Sequence, residues 1–154
     1  MPSQAHVAKY LLETGIRIQG SKLYADRVAV SHSQVAAALG KDKRIVTSTV
    51  RTIENSPRLQ SIYSKLKPSC NLIEVAPEMG WGIIEITLSD PALPGILGKV
   101  TTAIGETGVS IRQIIGEDPV FTMGTIFIIT ESVLPGFCLE KLRDIDGVVK
   151  ITLH

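Results

Sequence analysis

The spacing of apolar residues changes several times along the chain, and each change predicts a new element. Helical spacing over residues 3–14 predicts a first helix, which Gly15 ends. The following apolar residues alternate with polar ones around Gly20–Ser21, a pair suited to a tight turn, so a small β-hairpin is expected. The alternating positions are Ile16, Ile18, Leu23, Ala25, Val28 and Val30.

Residues 31–55 predict two helices joined by a short turn. Ser31 or Ser33 can cap the first helix, Gly40 ends it, and Asp42 can cap the second. The inward stripe of the second helix is Val46, Val50 and Ile53. This spacing resembles the helix-turn-helix of DNA-binding proteins. A further helix that starts at Pro57 completes the small core.

The outward side of the second helix carries basic and hydroxyl side chains suited to phosphates and base edges in a major groove. Residues 41–67 contain seven Lys and Arg but only two acidic residues, which favours duplex DNA as a partner. The alternative is a solvated face of a helical interaction or dimerisation module. The candidate DNA-binding residues are Lys41, Lys43, Arg44, Thr47, Ser48 and Arg51.

The second half alternates between strand and helix periodicity in the order βαββαβ. This order predicts a ferredoxin-like sandwich, in which an antiparallel four-stranded sheet carries both helices on one face. The chain as a whole is therefore expected to be α+β, with a helix-turn-helix domain over 1–67, a linker over 68–80 with a short ordered piece, and the ferredoxin-like domain over 81–154. The expected buried face holds Ile84, Ile86, Leu88, Val109 and Ile111.

The stretch SDPALPGILGKVTTAIGETGVSIRQI, residues 89–114, resembles an ACT domain, a module that senses small molecules in amino-acid metabolism. With the basic half in front, the whole chain is similar to predicted archaeal regulators of amino-acid metabolism. The resemblance implies that the effector binds at the Pro-Gly turn, often at a dimer interface where the partner's second strand contributes. The implied site residues are Asp90, Leu93, Pro94, Gly95, Ile96, Leu97, Ser110 and Ile111.

Physical chemistry supports a carboxylate at this turn. Gly95 has no side chain at the start of a helix, where backbone N–H groups are unpaired and the helix dipole is positive. Leu93, Ile96 and Leu97 can contact an apolar side chain of an amino acid. Ser110 departs from the asparagine common in the family and offers a single hydroxyl. The alternative is a structural turn in a domain that serves mainly for dimerisation.

The formal net charge of +1 hides two halves of opposite sign. Residues 1–80 hold eleven Lys and Arg against six Asp and Glu, whereas residues 81–154 hold five against nine, which suggests two domains with different partners. A homodimer is expected, because Ile83, Phe127 and Ile129 lie on the sheet face opposite the helices.

Other classes of protein lack support in the sequence. The chain shows neither a membrane-spanning run nor a secretory signal, so a cytoplasmic protein is expected. Its two cysteines and three histidines are scattered, and no metal or cofactor is expected. Catalytic motifs are absent, and the adjacent Glu117 and Asp118 suit a solvated hairpin loop. An amino-acid-responsive transcriptional regulator leads over a regulatory subunit that does not bind DNA but dimerises through its ACT-like domain.

Overall fold

The computed structural model describes residues 2–116 and 124–154, which divide into two compact units, one ending at Cys70 and one beginning at Asn71. Glu117 and Asp118 lie outside the described residues. The first unit contains α1 (Pro2–Glu13), β1 (Ile16–Gln19), β2 (Lys22–Ala25), β3 (Val28–Val30), α2 (His32–Leu39), α3 (Lys43–Glu54) and α4 (Pro57–Tyr63).

The expected two-stranded hairpin is extended by a third strand. β1, β2 and β3 form an antiparallel sheet in that order, in which Leu23 of β2 pairs with Ile18 on one side and Val30 on the other. A second tight turn makes this possible, since Asp26 adopts a positive φ of 53° that aspartate tolerates better than most residues. Val28 and Val30 therefore lie on a third strand, which returns along β2, where the sequence predicted a small hairpin.

The helix-turn-helix segment begins and ends where the sequence predicts. The Ser31 hydroxyl accepts a hydrogen bond from Gln34 N in a capping box, and Gly40 ends α2 in the left-handed conformation. The Asp42 carboxylate then caps α3 by accepting from Arg44 N at 2.7 Å. The apolar faces of α1, α2, α3 and the small sheet meet in one core, whose members include Val7, Leu11, Ile18, Leu23, Val35, Val46, Val50, Ile53 and Tyr63.

The second unit has the predicted βαββαβ order. Its elements are β4 (Gly82–Leu88), α5 (Ile96–Gly105), β5 (Ile111–Gly116), β6 (Thr125–Thr130), α6 (Gly136–Arg143) and β7 (Val148–Leu153). The strands form one antiparallel sheet in the order β5-β6-β4-β7, which confirms the ferredoxin-like fold. α5 and α6 pack on the face that carries Ile84, Ile86 and Leu88, which are buried as expected. Val109 and Ile111 pack against this core but are only partly buried.

The opposite face of the sheet is partly covered by the chain itself. Ile83 and Ile129 are buried there, together with Ala76, and Leu72, Ile73 and Trp81 pack against them. Leu72 N also donates to Gln113 Oε1 at 3.0 Å, and a short 3₁₀ turn follows over Pro77–Met79. Residues of the expected linker therefore shield two of the three apolar side chains from which a homodimer was expected, and the third, Phe127, is half-buried.

Candidate nucleic-acid and effector sites

The exposed face of α3 brings five of the six candidate DNA-binding residues together. They line one shallow concave surface and are Lys43, Arg44, Thr47, Ser48 and Arg51. Helical spacing of three and four residues places them on one side, while Val46, Thr49, Val50 and Ile53 are buried on the other. Lys41 precedes the Asp42 cap and is not part of this concave surface, which we call the α3 face.

The first unit is strongly basic. Up to Cys70 it contains eleven Lys and Arg against four Asp and Glu, a formal charge of +7, whereas the unit from Asn71 has five against eleven, or −6. Among the described residues, Lys43, Arg44 and Arg51 have no salt-bridge partner. The nearby Asp42 carboxylate is engaged in capping α3. These cations therefore remain available to an anionic partner.

The two hydroxyls of the α3 face are held by residues from other elements. Thr47 Oγ1 lies 3.0 Å from His32 Nδ1, at the start of α2. Ser48 Oγ accepts from Gln4 Nε2 of α1 at 3.0 Å and donates to Ile45 O. Sequence reasoning did not select His32 or Gln4, because these contacts join residues 15 and 44 positions apart and depend on how the helices pack.

Hydrogen bonds also connect the β1–β2 turn to α3. Both the amide and the hydroxyl of Ser21 donate to the Glu54 carboxylate, at 2.6 and 2.5 Å. The Ser21 carbonyl oxygen lies 3.1 Å from His32 Nε2. The turn, the start of α2 and the α3 face thus form one hydrogen-bonded assembly, in which the position of each part depends on the other two.

The Pro-Gly turn of the second unit offers backbone donors to solvent. Gly95 is the N-cap of α5 with φ +84°, and a side chain there would meet nothing within 4 Å. Among the described residues, no group accepts from the amides of Leu97 and Gly98. Asp90 shapes the loop, since its Oδ1 accepts from Ala92 N at 2.9 Å. The positive φ also means that a substitution at Gly95 would strain the backbone, so Gly95→Asp is not a neutral probe of this site.

The structure brings only part of the expected effector site together. Leu93 and Leu97 flank the turn and are 38% and 43% exposed, whereas Ile96 is 4% exposed and belongs to the core. Ser110 and Ile111 lie at the other end of the sheet, since Ile111 and Gly82 pair with the same residue, Thr130, while the turn follows Leu88. The length of β4 separates the two ends by roughly 20 Å, at about 3.3 Å per residue. Within one chain, Ser110 therefore does not complete the turn.

Two further classes of site have no support in the described part of the chain. Across residues 2–116 and 124–154, no three His, Cys, Asp or Glu side chains are grouped as metal ligands would be. None of the helices in these ranges is long and apolar enough to cross a membrane.

Comparisons with known proteins give likenesses of fold only. No family model and no curated protein matches the chain. Among solved structures, the regulatory subunit of aspartate kinase from Thermus thermophilus is similar over 49% of this chain, at 24% identity and a TM-score of 0.39. The match spans 51% of that chain, about half its length.

Two transcription-related structures are similar over nearly the whole chain. A transcriptional regulatory protein of the AsnC family from Pyrococcus furiosus matches 98% of this chain and 85% of its own, at 11% identity and a TM-score of 0.32. AsnC from E. coli matches 100% and 89%, at 10% identity and a TM-score of 0.28. At these values the neighbours carry no argument about the partners or activity of this chain, and its function has to be argued from its own residues.

Proposed function

We propose that this protein is an amino-acid-responsive transcriptional regulator, in which the first unit binds duplex DNA and the second binds the effector. The observation that carries the proposal is the α3 face, where three cations without salt-bridge partners and two hydroxyls share one concave surface on a unit of charge +7. Such a helix suits the major groove, with its cations placed for phosphates and its shorter side chains for base edges.

The DNA-binding half of the proposal predicts salt-dependent affinity. Each phosphate neutralised by a cation releases counterions, so the logarithm of the binding constant should fall linearly with the logarithm of salt concentration. Arg44→Ala or Arg51→Ala should make this salt dependence weaker: the magnitude of the slope should fall by about 1 for each phosphate contact that the bound chain loses. Where the arginine instead makes a bidentate base contact, the variant should lose about 1–3 kcal/mol of binding free energy.

The experiment is a titration of fluorescent duplexes at several salt concentrations, with Lys9→Ala as the matched control. Lys9 lies on α1, pairs with Glu13 at 3.5 Å and does not line the α3 face, so its removal changes the net charge of the unit by the same amount without removing a cation of that surface. Wild-type protein that binds no duplex at low salt, or binds with an affinity indifferent to salt, would instead favour a regulatory subunit that does not act on DNA.

The effector half of the proposal places an amino acid at the Pro-Gly turn. Its carboxylate would accept from the amides of Leu97 and Gly98 at the positive end of the α5 dipole, and an apolar side chain would lie against Leu93 and Leu97. A ligand that binds only the folded state raises the apparent stability of the protein by mass action. A thermal-shift screen against the twenty amino acids tests this, and the absence of any shift at millimolar concentrations would remove the effector from the proposal.

We further propose that the protein acts as a homodimer. Two copies of the first unit would address two half-sites on DNA, and a second copy of the ferredoxin-like unit could supply the Ser110 end of a sheet to the turn of the first. The strands β5 and β7 are the two edges of the described sheet, where backbone groups remain open to pairing. Light scattering should give twice the chain mass of 16.6 kDa at micromolar concentration.

A further inference from the structure

The His32 ring lies between a carbonyl oxygen, which only accepts hydrogen bonds, and a hydroxyl group, which can donate or accept. Its Nε2 lies 3.1 Å from the Ser21 carbonyl oxygen, and its Nδ1 lies 3.0 Å from the Thr47 hydroxyl. Ser21 is itself fixed, because its amide and hydroxyl both donate to the Glu54 carboxylate. The carbonyl that faces the ring therefore has a defined position.

These contacts determine which ring nitrogen carries the proton. A carbonyl oxygen only accepts hydrogen bonds, so the bond to Ser21 requires hydrogen on His32 Nε2. In the neutral imidazole the other nitrogen, Nδ1, then has a lone pair and can only accept. With the ring neutral, the Thr47 hydroxyl supplies the hydrogen of that bond, and it then presents only its remaining lone pairs to a partner at the α3 face.

We propose that His32 is a positioning residue for sequence recognition: it holds the Thr47 hydroxyl as a hydrogen-bond acceptor, so that Thr47 selects bases with an exocyclic amino group in the major groove. Adenine N6 and cytosine N4 present such donors, whereas guanine O6 and thymine O4 present acceptors. The inference rests on the proposed DNA binding and adds to it the base class that Thr47 reads. Phosphates, which only accept, are left to the cations of the α3 face.

Ser48 provides a contrast on the same helix. Its hydroxyl donates to Ile45 O, but that oxygen already accepts from the Thr49 hydroxyl at 2.7 Å. A carbonyl oxygen has two lone pairs, and the helical amide of Thr49 also points at it, so the Ser48 hydrogen is easily released to another acceptor. Ser48 Oγ also accepts from Gln4 Nε2 at 3.0 Å, so no partner holds this hydroxyl as an acceptor alone. Ser48→Ala is therefore the comparison that removes a hydroxyl from the α3 face without removing one whose hydrogen is engaged by His32.

The experiment is selection of duplexes from a random-sequence library, followed by affinity measurements on the selected sequence. Wild-type protein should favour A or C over G or T at one position by roughly three- to tenfold, the range of one hydrogen bond. Thr47→Val, which keeps the side-chain volume, should lose that preference, and Thr47→Ser should retain it. His32→Phe should relax it, because the freed hydroxyl can then donate as well as accept. Ser48→Ala should keep the preference for A or C at this position, whatever its effect on overall affinity.

A base analogue that lacks the exocyclic amino group makes the same test on chemically defined DNA. At the selected position it should weaken binding of the wild type and of Thr47→Ser but not of Thr47→Val. Melting curves identify any variant that fails to fold. In that case the affinities of wild-type protein for the normal duplex and for the analogue duplex still test the assignment. A position that prefers G or T, or a preference that survives both Thr47→Val and His32→Phe, overturns the assignment while DNA binding stands. Absence of duplex binding by wild type overturns both.

Discussion

The backbone of Lys67 and Pro68, near the end of the first unit, passes close to Gly15, and Gly15→Ala should therefore destabilise that unit selectively. Gly15 is buried after α1 with φ +67°, and a Cβ there would lie 2.4 Å from Lys67 O and 2.5 Å from Pro68 N. The left-handed conformation costs alanine about 1–2 kcal/mol. Forcing the methyl group against fixed backbone adds about 1–3 kcal/mol, as in overpacked cores. The expected loss of about 2–5 kcal/mol is a large part of the stability of a small domain.

Gly20→Ala is the matched control, because Gly20 has φ +55° but a Cβ there would meet nothing within 4 Å. It should cost about 1–2 kcal/mol, which is the conformational cost alone. The aromatic residues separate the two units in one denaturation experiment: Tyr10, Tyr24 and Tyr63 lie before Cys70, and the single Trp81 lies after it. Gly15→Ala should shift the tyrosine transition and abolish DNA binding at temperatures where the Trp81 transition is unchanged. Equal losses for the two variants would refute the close approach of Gly15 to Lys67 and Pro68.

Three further predictions concern single groups. Gly98→Ala should raise stability by about 0.5–1 kcal/mol, since glycine is a poor helix former, and Gly98→Asp should at least retain it. Calorimetry with an amino acid found in the screen should show that only Gly98→Asp loses binding, because its negative charge occupies the place of the ligand carboxylate. Burial raises the pKa of the Cys138 thiol, so a thiol reagent at neutral pH should modify the exposed Cys70 first and reach Cys138 only on unfolding. Burial also raises the pKa of Tyr63 above its ordinary 10.0, so above about pH 10 the unfolded chain binds fewer protons and the free energy of unfolding should fall with rising pH. Tyr63→Phe should weaken that fall in a pH series of denaturant titrations, and at neutral pH it should cost about 0.5–1.5 kcal/mol through the missing hydrogen bond to Ala8 O.

Local signals explain why much of the fold could be predicted. Serine and aspartate caps, the Gly40 stop and the alternating strands depend on neighbours within a few residues, and the structure confirms them. The cations of the α3 face could be selected for the same reason, because helical spacing alone decides which side chains share a face. The elements that depend on short-range interactions were therefore predictable from the sequence, whereas the role of the α3 cations stays a prediction.

Long-range packing limited the rest. The contacts of His32 with Thr47 and of Ser21 with Glu54 join separate elements, and no spacing rule predicts them. Periodicity likewise identified Ile83 and Ile129 as one apolar face, but only the structure shows that residues from 72 to 81 cover them. The positive φ of Gly95 was not visible either, because glycine is also frequent at helix starts where its conformation is ordinary.

The separation of Ser110 from the Pro-Gly turn bears directly on the proposed dimer. If both contribute to one effector site, the roughly 20 Å between the two ends of a sheet requires that they come from different chains. Each site of a two-fold dimer then combines the turn of one chain with the β5 start of the other. A site within one chain would use the turn alone, and Ser110 would be irrelevant to binding.

Mixing two defective variants distinguishes these arrangements. Gly98→Asp damages the turn and Ser110→Asp damages the start of β5, so each variant alone should fail to bind the amino acid if sites are shared. After the two are unfolded and refolded together, mixed dimers contain one site built from the intact turn of one chain and the intact strand of the other. Calorimetry should therefore recover binding in the mixture, at a stoichiometry below that of wild type. If Ser110→Asp alone binds normally, or the refolded mixture recovers nothing, the effector site does not combine two chains.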